Sequence, residues 1–347
     1  MKTFKWITVC LLAGLLTAGI TAKAEEKSKE YKESWAVSDV STLQIINKFG
    51  EIKINNDGGS EVTIEVKVTV EAANEKKTNE LLDLISVQFQ KSGKTIKAET
   101  KIANEFKSQK RFSIDYTVNI PSDRNLMIEN KYGNTLVNRL EANGDFQIKY
   151  GNLSANELLT PEGGSLNVDL AYGNASIGEA TNMNVQVAYS PMTVETLKSL
   201  KLESKYSSFE LGEGKDIQIE SKYDKFRFGK VESVTATTKY SQVSIDELSK
   251  SIKIESGYGG VKVRTINPAF DFIDITNSYG QISLGLNNAN YSIDASCDYC
   301  GISYPQESFE GNRIRENNSQ TVKGKVGSGE GGKVFVRSRY GEIKLTN

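Results

Sequence analysis

Tyrosines recur at a nearly fixed interval through most of this 347-residue chain. From Tyr189 to Tyr258, each tyrosine follows the previous one by 17 or 18 residues. The segments that precede them are also alike, as in Leu200–Tyr206 (LKLESKY) and Ile217–Tyr223 (IQIESKY). Self-similarity at a short, fixed period is typical of architectures built from stacked repeats. The sequence therefore constrains the shape of the protein more strongly than its function.

Each repeat can be described by offsets from its aromatic residue, which is taken as position zero. Apolar residues fall at −6, −4, +3 and +5, a mostly small residue falls at −2, and Gly or Ser is common at +1. Around Tyr223, for example, Ile217 and Ile219 precede the tyrosine and Phe226 and Phe228 follow it. The same register fits twelve aromatic residues, which we call the aromatic ladder: Phe49, Tyr132, Tyr150, Tyr172, Tyr189, Tyr206, Tyr223, Tyr240, Tyr258, Tyr279, Tyr299 and Tyr340.

The parity of these offsets predicts a corner in every repeat. Side chains of a strand alternate between its two faces, so the even offsets −6, −4, −2 and 0 share one face, and +3 and +5 would lie on the other. Both groups are apolar, so we expect the chain to bend just after the aromatic residue, where glycine at +1 permits unusual backbone angles. The prediction is an all-β, right-handed parallel β-helix with coils of about 17–22 residues. Inward-pointing tyrosines would stack at roughly 4.8 Å.

Other repeat architectures fit the pattern less well. A meander of hairpins could show a similar period, but it would leave one sheet face without an apolar partner. The Asn/Cys ladder of leucine-rich repeats and the Gly-Gly-x-Gly-x-Asp runs of calcium-binding repeats are both absent from the sequence.

The N-terminus is predicted to be a secretory signal peptide at residues 1–24. Lys2 and Lys5 precede an apolar run over residues 6–20, and Ala22-Lys-Ala24 forms a cleavage site. The apolar run is shorter than a membrane-spanning helix requires. Residues 25–40, which are rich in charge, are expected to be loose. The protein is therefore expected to be exported, without a membrane span.

Residues 41–121 are predicted to form the first coil, around Phe49, followed by a small α+β insertion or cap. Val62, Ile64, Val66, Val68 and Val70 alternate with polar residues, which predicts a half-buried strand. Residues 74–85 combine a polar start with clustered leucines, which predicts one amphipathic helix. Such a unit would cover apolar side chains and unpaired backbone groups at the end of a solenoid. Residues 122–347 are then the β-helix repeats.

The net charge narrows the range of partners. The formal net charge is −1, and it falls to about −4 when Lys2, Lys5 and Lys23 leave with the signal peptide. Nucleic-acid-binding domains normally carry a basic excess, so we predict no nucleic-acid partner.

The mature chain keeps only two cysteines, Cys297 and Cys300, which cannot form a disulfide framework. The two cysteines flank Tyr299, either as small core residues or as a local disulfide.

The outward offsets carry opposite charges in neighbouring rows. Lys205, Lys222 and Lys239 lie at −1, whereas Glu203 and Glu220 lie at −3. One interpretation is a solvated sheet face on which opposite charges offset each other, with little effect on stability. The other is a binding strip for a glycan or another cell-envelope polymer. We call these five residues the candidate strip.

The sequence predicts no catalytic, cofactor or metal site. It contains no histidine, and it lacks both a Gly-x-Ser-x-Gly elbow and a phosphate-binding loop. The leading prediction is a non-enzymatic adhesin-like or scaffold protein. The alternatives are a polysaccharide lyase or hydrolase built on a β-helix, and an envelope signalling or stress-response component that acts through protein partners. The oligomeric state is not predicted.

Four segments of the sequence resemble a known family. They are Phe49–Ile54 (FGEIKI), Val118–Pro121 (VNIP), Asn125–Gly133 (NLMIENKYG) and Gly332–Leu345 (GKVFVRSRYGEIKL). Together they resemble the bacterial putative-adhesin family of β-strand-repeat proteins, whose function is unknown. The resemblance implies an exported β-helical protein in the periplasm, at the outer membrane or on the cell surface. It brings no catalytic or ligand-binding residues.

Overall fold

The computed structural model describes residues 25–56 and 59–347, so the predicted signal peptide at 1–24 lies outside the described residues. The described chain is almost entirely β-structure, with one α-helix, α1 (Glu75–Asp83), and one 3-10 turn (Val37–Asp39). Its strands are β1 (Glu25–Ala36), β2 (Thr42–Lys48), β3 (Ile52–Asn55), β4 (Glu61–Ala72), β5 (Ile85–Ser92), β6 (Thr95–Ile102), β7 (Phe112–Asn119), β8 (Asn125–Lys131), β9 (Thr135–Leu140), β10 (Gly144–Lys149), β11 (Leu153–Leu158), β12 (Leu166–Ala171), β13 (Ala175–Ala188), β14 (Pro191–Lys205), β15 (Ser208–Lys222), β16 (Lys225–Lys239), β17 (Gln242–Gly257), β18 (Val261–Ile266), β19 (Phe272–Ser278), β20 (Ile282–Gly285), β21 (Tyr291–Asp298), β22 (Ile302–Ser303), β23 (Phe309–Glu316), β24 (Ser319–Val326), β25 (Gly332–Arg339) and β26 (Ile343–Thr346).

The repeats stack in parallel and in register, as a solenoid requires. Leu202 of β14 pairs with Ile219 of β15, which pairs with Ala236 of β16 and then with Ile254 of β17. Antiparallel pairs join β4 to β1 and β7, β5 to β6, and β24 to β21 and β23, near the two ends of the stack. A meander would make successive repeats antiparallel, so that alternative is wrong and the solenoid-like prediction is confirmed.

Three rows of inward positions, nearly all apolar, fill the interior of the coils from Tyr132 to Tyr258. Two are the predicted rows at −6/−4 and at +3/+5, which include the buried Ile217, Ile219, Phe226 and Phe228. The third lies at +8, between the other two, and was not predicted from the repeat pattern. Its members are Leu140, Leu158, Ala180, Leu197, Gly214, Val231, Leu248 and Ile266, which lie inside the coil. The core is therefore one continuous apolar column along the stack.

The N-terminal segment is ordered, so the prediction that residues 25–40 are loose is wrong. Strand β1 pairs with β4 over twelve residues, from Glu25 opposite Ala72 to Ala36 opposite Glu61. Most of its charged side chains face solvent, while Tyr31 and Trp35 pack against the core. An exposed edge of β4 would leave a row of unpaired backbone groups, and a highly charged strand can cover that edge while resisting further pairing.

The predicted helix is present between β4 and β5. The Asn74 side chain caps its N-terminus by accepting a hydrogen bond from the Lys77 N–H at 2.9 Å. Its apolar face buries Leu81 and Leu82. On the same helix, the Thr78 hydroxyl donates to the Glu25 carbonyl oxygen at 3.1 Å. The helix therefore packs against both β1 and β4.

The last coil does not follow the order of the chain. Strands β25 and β26 lie between the coil of β19 and β20 and the coil of β21 and β22, and they pair in parallel with both. The chain thus places the coil of Tyr299 one position further out, forms the β23–β24 hairpin, and returns to fill the gap. The ladder consequently runs Tyr279, Tyr340, Tyr299.

Candidate binding face along the aromatic ladder

The twelve ladder residues form one unbroken stack of rings. Neighbouring ring centroids lie 4.6–5.0 Å apart, and neighbouring ring planes are inclined by 1–18°. This spacing equals the separation of adjacent strands in a sheet, because each coil contributes one ring. At the N-terminal end, Phe49 also contacts Phe112, with the two centroids 5.0 Å apart.

The tyrosines point outward, so the prediction of an inward ladder is wrong. Every ladder residue has a positive φ, between 52° and 64°, which places it in the left-handed region. Around Tyr223, the flanking Ser221 and Asp224 are buried, whereas Lys222 and Tyr223 both face solvent. The left-handed residue thus makes the corner itself and adds a second consecutive outward side chain. The tyrosines are left 41–54% exposed.

Glycine at +1 also has a different role from the one predicted. These glycines do not adopt positive φ angles. Instead, a Cβ atom on Gly151 would lie 1.9 Å from the carbonyl oxygen of Gly133, and one on Gly173 would lie 1.7 Å from that of Gly151. Glycine is therefore required because the corners of successive coils approach each other closely.

Side-chain oxygens take the glycine position in the central coils, and they satisfy buried backbone amides. Ser190, Ser207, Asp224 and Ser241 all lie at +1. The Ser190 N–H donates to Ser207 Oγ at 3.2 Å, and the Asp224 N–H donates to Ser241 Oγ at 3.1 Å. The amides of Ser190, Ser207 and Asp224 are thus each bonded to a side chain of the next coil, as buried donors require.

Asp224 is the charged member of this interior row. Its carboxylate accepts from the Ser207 N–H at 2.6 Å and from the Ser204 hydroxyl at 2.6 Å. Burial raises the pKa of Asp224, although these hydrogen bonds act in the opposite direction. The carboxyl faces the interior of the coil, so it is not available to a ligand on the surface.

The structure brings the five residues of the candidate strip together beside the ladder. Glu203 pairs in register with Glu220, and Lys205 pairs with Lys222, which in turn pairs with Lys239. All five line a shallow depression of about 550 Å³, whose floor includes Ala188 and Ser204. The depression lies on the face formed by the strands that lead into each tyrosine.

These five charges differ from the same rows in two earlier coils. There, Lys131 pairs with Glu129 at 2.7 Å, and Lys149 lies 3.7 Å from Asp169. Within the described residues, no ion pair forms at Lys205, Lys222, Lys239, Glu203 or Glu220. Nor does any ladder hydroxyl form a hydrogen bond with a protein group in the described part of the chain. Both sets of polar groups are thus free to contact a partner.

Cys297 and Cys300 form a disulfide that spans the corner at Tyr299. Cys297 is buried at the −2 position, and Cys300 takes the glycine position. The bond therefore joins two inward positions on either side of the left-handed residue. It closes one corner near the C-terminal end of the stack, where Tyr299 is the last ring of the ladder.

Other features of the described residues bear on the range of functions. No group of three or more His, Cys, Asp or Glu side chains in this part of the chain could hold a metal ion. The one α-helix described is too short and too polar to cross a membrane.

No family model and no curated protein matches this chain. Among solved structures, a putative adhesin from Parabacteroides merdae is 12% identical, with a TM-score of 0.42, over 73% of this chain and 95% of that chain. A putative cell adhesion protein from Clostridium sporogenes is 9% identical, with a TM-score of 0.21, over 92% and 99%.

A third solved structure has a different name. It is a putative lipid binding protein from Parabacteroides distasonis, 13% identical, with a TM-score of 0.35, over 73% of this chain and 95% of that chain. Likenesses at this level carry no argument about function. The names of the other two structures agree with the putative-adhesin family that the sequence resembles.

Proposed function

We propose that this protein is an exported, non-enzymatic, adhesin-like binding protein or scaffold of the cell envelope. Its binding surface is the ladder face, which consists of the exposed tyrosines together with the candidate strip. The proposal rests on the observation that this surface repeats unpaired polar groups at one strand spacing along the stack. Lys205, Lys222 and Lys239 recur once per coil, beside tyrosine hydroxyls that bond to no described protein group.

The geometry of the ladder face favours an extended partner. Neighbouring rings stack face to face, so each tyrosine presents its edge and its hydroxyl to solvent and not its flat face. A contiguous run of exposed aromatic residues is uncommon on a protein surface that binds nothing. Many weak contacts at a constant spacing would add up along a polymer such as an envelope glycan, or along a regular protein surface.

Two alternatives are kept. A polysaccharide lyase or hydrolase would need carboxyl groups at the surface with perturbed acidity. Glu203 and Glu220 do line the depression, but the carboxyl whose burial raises its pKa, Asp224, faces the interior. An envelope signalling or stress-response component would use the same face to bind a protein. Binding to a protein without binding to any glycan would favour that second alternative.

The location and the remaining architecture are part of the proposal. The features of residues 1–24 predict export to the periplasm, the outer membrane or the cell surface. We further propose that the coils wind with a right hand, that residues 41–121 include a cap on the first coil, and that residues 122–347 form the repeat domain. No cofactor and no nucleic-acid partner is proposed.

The test is a binding assay with two variants of the ladder face. Residues 25–347 are incubated with insoluble envelope polysaccharides and with isolated cell envelopes, and the bound fraction is measured after sedimentation. One variant replaces Lys205, Lys222 and Lys239 by Gln, which removes three charges. The other replaces Tyr206 and Tyr223 by Phe, which keeps the stacked rings and removes two hydroxyls. Both variants are expected to bind less than the wild type.

A matched control uses three lysines on another side of the coils. Lys215, Lys230 and Lys250 lie close to the carboxylates of Glu232 or Glu213, away from the ladder. Their replacement by Gln removes the same charge and should leave binding unchanged. Equal losses in the control and in the strip variant would mean that net charge, and not the ladder face, determines binding. Failure of the wild type to bind any envelope fraction would contradict the proposal.

A further inference from the structure

The choice of tyrosine over phenylalanine in the ladder needs an explanation. Phe49 stacks on Tyr132 with a centroid separation of 4.9 Å and an inclination of 9°, so stacking does not require a hydroxyl. The hydroxyls also bond to no protein group in the described part of the chain. Tyrosine differs from phenylalanine chemically because its phenol loses an electron and a proton to moderate one-electron oxidants. Phenylalanine does not react in this way under the same conditions.

The geometry of the ladder suits electron transfer between neighbours. Eleven tyrosines follow one another from Tyr132 to Tyr299, in ten steps of 4.6–5.0 Å with nearly parallel rings. The stack therefore spans about 50 Å, at one ring per strand spacing. Electron transfer rates fall steeply with distance, so the next ring in the stack is the favoured donor at every step.

The tyrosines of the stack also lie in closely similar environments. Every tyrosine of the stack occupies the same left-handed corner, with φ between 52° and 63°. Each keeps a similar fraction of its surface in contact with water, which can accept the phenolic proton. A ring with a markedly different environment would trap a radical, whereas similar environments allow it to move on.

We propose that the aromatic ladder is a relay that carries a one-electron oxidation along the long axis of the protein. An oxidant of the haem-peroxidase or photo-oxidised metal-complex class removes one electron from a tyrosine, and the phenolic proton passes to water. The neighbouring tyrosine then gives an electron to this phenoxyl radical, which regains a proton from water, while the neighbour's own proton leaves. The sequence ends when a soluble reductant supplies one electron and water supplies one proton.

The residues at the two ends of the ladder are ones that would not react with a tyrosyl radical. At one end, Phe49 stacks on Tyr132 and itself contacts Phe112, and both phenylalanine rings resist oxidation. At the other end, Cys297 and Cys300 flank Tyr299 as a disulfide. A free thiol there would donate a hydrogen atom to the phenoxyl radical and quench it, whereas a disulfide has no such hydrogen.

The experiment places an oxidant at one end and a trap at the other. A ruthenium polypyridyl complex is attached to a cysteine introduced as Asn134→Cys, two residues after Tyr132 on an exposed position. Tyr299 is replaced by 3-aminotyrosine, which is oxidised more easily than tyrosine and gives a distinct radical absorption. After flash oxidation of the ruthenium, the aminotyrosyl radical is expected to form at a rate that does not depend on protein concentration.

Phenylalanine substitutions supply the decisive comparison. Replacement of Tyr206, Tyr223 and Tyr240 by Phe keeps a stacked ring at each position, as Phe49 does, but opens a gap of about 20 Å between oxidisable rings. The radical yield at the trap should fall to that of protein without attached ruthenium. Replacement of the off-ladder Tyr31 and Tyr304 by Phe should change nothing. Equal yields with and without the gap, or no radical in the intact ladder, would overturn the relay.

Discussion

The left-handed conformation at Tyr223 can be tested by comparing two substitutions that differ only in one methyl group. Tyr223→Ala and Tyr223→Gly both remove the ring, which stacks on Tyr206 and Tyr240 at 4.9 Å on either side. Each stacked pair contributes roughly 0.5–1.5 kcal/mol beyond its burial. Both variants should therefore lose about 1–3 kcal/mol from stacking, in addition to the burial of half a ring.

The two variants should differ from each other because of the backbone. Tyr223 has a φ of 63°. Alanine keeps the penalty of about 1–2 kcal/mol that an L-residue has in this region, whereas glycine relieves it. Glycine also carries an entropic cost of roughly 0.5–1 kcal/mol relative to alanine. The glycine variant should therefore be the more stable of the two, by about 0.75 kcal/mol at the midpoints of these ranges.

The order should reverse at an ordinary strand position. Thr235 is exposed in β16 and has no positive φ, so Thr235→Ala should be more stable than Thr235→Gly there. The assay is the midpoint of urea unfolding, followed by far-UV circular dichroism at a constant m value. If Tyr223→Ala proved as stable as Tyr223→Gly, or more stable, the corner would not depend on a left-handed residue and the account of the fold would be wrong.

Three further predictions concern the interior of the corner. Because burial raises the pKa of Asp224, its contribution to stability is present at low pH and is lost as the pH rises through the folded-state pKa. The stability of Asp224→Ser relative to the wild type, measured by urea unfolding, should therefore increase when the pH is raised from below 3.8, the ordinary pKa of aspartate, to well above it. A difference in stability that does not change with pH would contradict this. Gly173→Ala should cost about 1–3 kcal/mol because of its close backbone contact, whereas Gly257→Ala, which has open space, should be near neutral. Thiol titration of unreduced, denatured residues 25–347 should detect no free Cys297 or Cys300, and two free thiols would exclude the disulfide.

Much of the fold was predictable because the apolar offsets recur in almost every repeat, with few exceptions such as Gly144 at −6 and Thr135 at +3. Ile217, Ile219, Phe226 and Phe228 required a corner, and stacking of similar units required parallel pairing. The order of the last coil was not predictable, because the segment around Tyr340 fits the repeat equally well at any position in the stack. The strand at residues 25–36 was missed because its charged composition hides the backbone pairing that holds it to β4.

The site was predictable in its members but not in its orientation. The parity of the apolar offsets shows that one residue near the aromatic breaks the alternation, but parity alone does not say which one. From the sequence, the interruption of the alternation is expected at the glycine, because glycine tolerates positive φ most easily. The structure places it at Tyr223 and its equivalents, while glycine serves the close approach of the coils. The lysine row at −1 does not distinguish the two placements, because position −1 faces outward in both.

Nitration by tetranitromethane, followed by mass spectrometry, tests whether the tyrosine stack lies on the outer surface. We expect nitration of ladder tyrosines such as Tyr206, Tyr223 and Tyr240, whose hydroxyls face water. We expect protection of Tyr116 and Tyr291, which are buried and whose pKa values are raised by burial. Protection of the ladder tyrosines, or equal reaction of all tyrosines, would contradict the outward ladder and the functions proposed for it.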